Sequence, residues 1–151
     1  MRAIAHRCAP NTFAHTVEIR GHQVMVDDGK GDGGQDSAPS PQELLAASLA
    51  SCTAITIEMY AARKEWDIGQ IDVCCEYVPA ERGCPTRFKL ELRLPPQTTV
   101  EQRERLQVIA AKCPVHRMLE GEVMFEDHVT ILSTNEQAQP ESPLERPLSR
   151  N

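Results

Sequence analysis

The segment from Ser40 to Lys64 constrains this chain more than any other. Its centre, LLAASLASCTAITIEMYAA, is apolar or small on almost every side. Ser40 can cap a helix, Pro41 suits the first helical position, and Glu43 completes a capping box three residues after Ser40. The pattern predicts a helix from Pro41 to Lys64, roughly 36 Å long at 1.5 Å per residue. A helix without a broad polar face must be covered on most of its surface. The run of Ala46, Ala47, Ser48, Ala50 and Ser51 lets another element approach closely. The rest of the fold therefore has to wrap this helix.

The remaining segments supply the wrapping. Phe13–Arg20 and His22–Asp27 alternate apolar and polar residues and read as two strands turning at Gly21. DGKGDGGQDSAP, from Asp28 to Pro39, is glycine-rich and reads as a flexible surface loop, because three aspartates would oppose a phosphate. Ile71, Val73, Cys75 and Tyr77 recur at period two, as do Phe88, Leu90, Leu92 and Leu94, giving two half-exposed strands. Thr98 with Glu101 opens a second helix, whose apolar face carries Leu106, Ile109, Ala110 and Cys113. Pro114 restarts a short helix that ends at Gly121, and Val123–Leu132 reads as a last strand. The order is β-β-α-β-β-α-α-β, an α+β domain over residues 1–132. From Ser133 to Asn151 the chain is polar with three prolines, a composition expected of a disordered tail.

Charge and cysteine count narrow the function. A net charge of −6 opposes phosphate backbones, so nucleic acid is not an expected partner. No run reads as a membrane span and Met1–Pro10 lacks a secretory core, which leaves the cytoplasm as the expected location. Six cysteines in 151 residues would suggest three disulfides outside the cell. In a reducing compartment they point to metal binding, thiol chemistry or buried apolar thiols. No paired C-x-x-C is present, so neither a metal nor another cofactor is expected. Cys74 and Cys84 could meet across a hairpin, Cys75 fits an apolar strand face, and Cys8 has no evident role.

Two cysteines are placed to react. Cys52 lies mid-helix, on a face shared with Leu44, Ser48, Ile55 and Met59, and by itself reads as a buried core thiol. Cys113 precedes Pro114 and can cap the short helix, where N–H groups favour a thiolate. Both helices have strong apolar faces and must pack on common elements. Two thiols whose Cα atoms come within about 7 Å can form a disulfide. That is the equipment for peroxide reduction through a sulfenic acid.

SPQELLAASLASCTAITIEMYAARK followed some sixty residues later by KCPVHRML resembles the OsmC/Ohr family, over roughly residues 12 to 132. The resemblance implies antiparallel sheets wrapped around central cysteine-bearing helices in an intertwined homodimer. It implies reduction of organic hydroperoxides, with Cys52 peroxidatic and Cys113 resolving, and recycling by a dithiol or lipoylated-protein reductant. It also implies an arginine from the N-terminal hairpin, matched by Arg20, held by a glutamate at the start of the cysteine helix. Gln42 stands at the glutamate's position, ten residues before Cys52, and Glu43 follows it. A neutral Gln42 cannot form a charge-assisted pair with arginine. His116, three residues after Cys113, could raise the thiolate fraction. Two other classes stay open: a non-catalytic module binding a lipid-like ligand, and a hydrolase built on Cys113 and His116, for which no orienting third residue is evident.

Overall fold

The computed structural model describes residues 1–131, and the tail read as disordered lies outside them. The fold is α+β. Strands β1 (Ala3–Arg7), β2 (His15–Ile19) and β3 (His22–Val26) precede a short 3-10 turn at Lys30–Asp32 and the long helix α1 (Pro41–Arg63). Strands β4 (Asp72–Val78) and β5 (Arg87–Arg93) follow, then helices α2 (Val100–Ala110) and α3 (Pro114–Glu120). The strands form two antiparallel sheets, β1-β2-β3 and β4-β5. The chain divides into two units, Met1–Ala38 with the segment from Met124, and Pro39–Val123.

In the first unit, β2 and β3 pair with Val17 opposite Val24 and Ile19 opposite His22, so the loop between them is Arg20-Gly21 alone. Arg20, not Gly21, takes the left-handed backbone conformation, with φ 59°. Such a conformation crowds the Cβ of any residue but glycine. β1 had no clear sequence signal: Ile4 is the single large apolar residue in AIAHR and the only half-buried one.

The glycine-rich segment after β3 is not the loose loop its composition suggests. Asp27 is 2% exposed. Its carboxylate accepts from the Ser37 hydroxyl at 2.7 Å, and from the backbone N–H groups of Asp28, Ser37 and Gln35 at 2.9, 3.1 and 3.2 Å. Gly34 passes so close to Asp28 that a Cβ there would lie 1.9 Å from its carbonyl oxygen. The bonds from Ser37, with that from Asp28, outweigh burial and lower the Asp27 pKa from 3.8 to about 2. A carboxyl whose folded value is depressed stabilises the fold above its unfolded value and ceases to as pH falls through the folded one. This anchor is thus complete above about pH 4 and lost toward pH 2. Asp27→Asn is expected to flatten stability over that window and to speed hydrogen exchange at the Gln35 and Ser37 amides, as exchange measured by mass spectrometry would show.

In the second unit, α1 begins as its sequence predicts. Ser40 Oγ accepts the Glu43 N–H at 3.3 Å, and the Ser40 N–H donates to Glu43 Oε2 at 2.7 Å. The buried face of α1 is Ala46, Leu49, Thr53, Ile57 and Ala61. It packs on β4, α2 and α3. Ile57 and Ala61 join Ile68, Leu106 and Ala110 in a core flanked by Trp66, Ile71, Leu92 and Leu94. Arg105 of α2 donates to the Tyr60 hydroxyl of α1 at 2.8 Å, fixing one helix to the other.

Four sequence readings need correction. The face that includes Ile55 and Met59 is not the core: these residues are 55% and 59% exposed. An all-apolar helix has no periodicity to reveal which side its own chain covers. α1 also has the length and mean hydropathy, 1.4, of a membrane span, so none should have been excluded by inspection. One face of it packs on β4 and α2, and 28% of the span-length window is buried within this chain. The α2 cap is Thr99 with Gln102, one residue later than read. Thr98 is buried in the preceding turn, its N–H on the Pro95 carbonyl at 3.0 Å. Finally, residues 123–131 form no strand, and Val123, Phe125, Val129 and Ile131 are exposed. A period-two pattern needs an edge to pair with, and the described residues of this chain offer it none.

Candidate functional site

Cys52 occupies the middle of α1 and is half-buried. Cys113 is fully buried. It is the N-cap of α3, with extended backbone (φ −62°, ψ 139°), and its Sγ accepts the His116 N–H at 3.3 Å. Pro114 at the first helical position locks that geometry. α1 packs on α3 and brings the Cys52 thiol and the Thr53 hydroxyl to the Cys113 sulfur. The two cysteines singled out from the sequence are therefore neighbours, and both are free thiols.

The environment of Cys113 favours the thiolate. Burial is the largest single influence and pushes the thiol up. Together the Thr53 hydroxyl, the His116 N–H, the Cys52 thiol and the Val115 N–H outweigh it, and the net pKa falls below the ordinary thiol value. The result is an asymmetric pair. The half-buried residue can meet a reagent, and the buried sulfur is surrounded by donors that stabilise a negative charge on it. Such a pair can cycle between dithiol and disulfide.

The other candidates are dispersed. His116 touches Cys113 through its backbone N–H, and its imidazole Nε2 instead meets Glu120 Oε1 at 3.2 Å. Its Nδ1 is buried without a hydrogen-bond partner, so no hydrogen bond joins the ring to the thiol. Gln42 is exposed in the first turn of α1, and Glu43 Oε2 is held in the capping box. The Ser40 N–H and hydroxyl lower the Glu43 pKa. Arg20 lies in the other unit and is exposed. Cys74 pairs with Glu91 across the β4-β5 ladder, whereas Cys84 lies in the connecting turn opposite Glu81, so the two do not meet across the hairpin. Burial raises the pKa of Cys75. Cys8 is exposed beside the Thr16 hydroxyl at 3.5 Å. Among the described residues no cluster of three His, Cys, Asp or Glu could hold a metal ion.

Thr53 was missed. Its signal was a polar residue at spacing four between Leu49 and Ile57 on the buried face, visible only once that face is known.

The sequence matches the family model for OsmC-like proteins over residues 33–126, more than half of the chain. No curated protein matches it. Among solved structures, it is similar to a protein of Psychrobacter arcticus 273-4 named for osmotic stress induction and detoxification response. The TM-score is 0.66 and the identity 21%, covering 77% of this chain and 85% of the other. An organic hydroperoxide resistance protein OsmC from Legionella pneumophila aligns with TM-score 0.56 and 22% identity, over 80% and 88%. An organic hydroperoxide resistance protein from Elizabethkingia anophelis aligns with TM-score 0.58 and 23% identity, over 79% and 86%. At such identities the likeness establishes the fold. With the family match, the chain belongs to the OsmC-like family.

Proposed function

We propose that this OsmC-like protein is a thiol peroxidase that reduces organic hydroperoxides through Cys52 and Cys113. The observation that carries the reading is the asymmetric pair: a half-buried Cys52 against a buried Cys113 held by hydrogen-bond donors. The names of similar structures, organic hydroperoxide resistance proteins, agree with it. Cys52, as thiolate, attacks the peroxide's outer oxygen. The O–O bond breaks, the alcohol leaves with a proton, and Cys52 becomes a sulfenic acid. Cys113 then attacks Cys52 sulfur, water leaves, and the disulfide forms. A dithiol reductant, free or on a lipoylated protein, restores both thiols by exchange. Six free thiols suit a reducing compartment.

The active form in this reading is a homodimer. α1 leaves Ile55 and Met59 open, and Val123, Phe125, Val129 and Ile131 are exposed beyond α3. A second copy is the natural cover for both, and sedimentation at micromolar concentration measures it. Arg20 is the proposed cation for Cys52 in that assembly, and Glu43 the carboxylate that substitutes for the family's glutamate, whose position Gln42 occupies.

The test is mass spectrometry after one equivalent of cumene hydroperoxide. The expected product is a Cys52–Cys113 disulfide formed within seconds, ahead of oxidation at Cys8, Cys74 or Cys84. Slow oxidation spread over all the exposed thiols would instead favour a binding module.

A further inference from the structure

Three hydroxyl residues lie close together on α1, and they behave differently. Ser51 Oγ donates to the Ala47 carbonyl at 2.8 Å, and Thr56 Oγ1 donates to the Cys52 carbonyl at 2.7 Å. Both are the usual return of a helical hydroxyl to the preceding turn. Thr53 is fully buried, and its Oγ1 has no hydrogen-bond partner of regular geometry. A buried hydroxyl left unpaired costs stability, and valine would fill the same space without that cost. α1 packs on α3, and the fully buried Thr53, one residue along the helix from Cys52, shares that seam with the fully buried Cys113, whose sulfur is within the hydroxyl's reach though no regular hydrogen bond is formed.

We infer that Thr53 is a positioning residue for the thiol pair: its buried hydroxyl donates to the Cys113 sulfur when that sulfur carries charge, and so sets the direction of disulfide reduction. The inference rests on the dithiol cycle proposed above. In that cycle a dithiol reductant, as thiolate, attacks Cys52, the half of the disulfide that solvent reaches. The Cys52–Cys113 bond breaks and its electron pair leaves on Cys113. A thiolate with a lower pKa leaves faster. The reductant's second thiolate then displaces Cys52 from the mixed disulfide, the reductant ends as its own disulfide, and its two protons pass to the cysteines. A donor waiting at Cys113 favours attack at Cys52 over attack at Cys113. The titratable groups beside Cys113 are Cys52 from α1 and His116, through its N–H, from α3.

Thr53→Val keeps the branched shape and removes the hydroxyl, whereas Thr53→Ser keeps the hydroxyl. Two measurements on the full chain test the inference without relying on peroxide chemistry. The titration of Cys113 across pH, followed by the 13Cβ resonance of selectively labelled cysteine so that no reagent has to enter the core, should move upward by about one unit in Thr53→Val and return in Thr53→Ser. Reduction by dithiothreitol of the disulfide formed with diamide should slow roughly threefold to tenfold in Thr53→Val and recover in Thr53→Ser. Circular dichroism should show both variants folded. An unchanged Cys113 profile and reduction rate in a folded Thr53→Val overturns the inference, even if peroxidase activity is present. A shifted profile supports it even in a protein that consumes no peroxide.

Discussion

Cys52→Ser is expected to abolish organic hydroperoxide turnover, leaving only the rate of the reductant alone. Serine preserves the helix and its packing, since the side chain is half-buried and differs by one atom. It removes the single thiol of the pair that solvent can reach, because Cys113 is fully buried. Cys113→Ser should behave differently. It should still be oxidised once, at a rate within a fewfold of the parent, and then stall. Without a resolving thiol, the Cys52 sulfenic acid persists and advances to sulfinic acid under excess peroxide. Stopped-flow oxidation followed by mass spectrometry of Cys52 separates these outcomes. Turnover retained by Cys52→Ser would remove the proposed mechanism, and turnover retained by Cys113→Ser would transfer the resolving role to the reductant.

This site was legible in the sequence to an uneven degree. The capping box at Ser40 and Glu43 and the Pro114 restart are local codes, and α1 and α3 begin where those codes place them. The role of Cys113 as N-cap followed from the same local reasoning. Which side of α1 meets the chain's own core did not follow, because a helix with apolar residues all round carries no phase. That ambiguity put Cys52 on a face with Ile55 and Met59, and hid Thr53 among Leu49 and Ile57. The strand expected at Val123–Leu132 failed for a related reason. Alternation reports a preference for pairing but not whether the partner edge belongs to the same chain. Asp27 was hidden by its surroundings: a run of glycines and aspartates signals a loop, and nothing local says that one carboxylate gathers four donors.

Arg20 offers the sharpest test of the proposed cation, because its backbone is already unusual. At the first loop position of the β2-β3 hairpin it holds φ 59°, where glycine is the favoured residue. A left-handed residue costs an ordinary side chain about 1–2 kcal/mol. Asn11, Asp36 and Glu65 share the conformation, so the strain alone assigns no role, and the variants must separate backbone from charge. Arg20→Gly relieves the strain and removes the charge. It is expected to hold or raise the melting temperature, while the rate of Cys52 oxidation falls at least tenfold, ~1.4 kcal/mol of barrier. Arg20→Ala should lose the same rate with no gain in stability. Arg20→Lys should recover part of the rate, since an ammonium supplies charge but not the planar fork. Calorimetry and stopped-flow oxidation on the same samples would read both quantities. Opposite movement of stability and rate in Arg20→Gly marks the residue as retained for chemistry. Unchanged oxidation kinetics in all three variants would exclude Arg20 from the site and leave Cys52 to another cation.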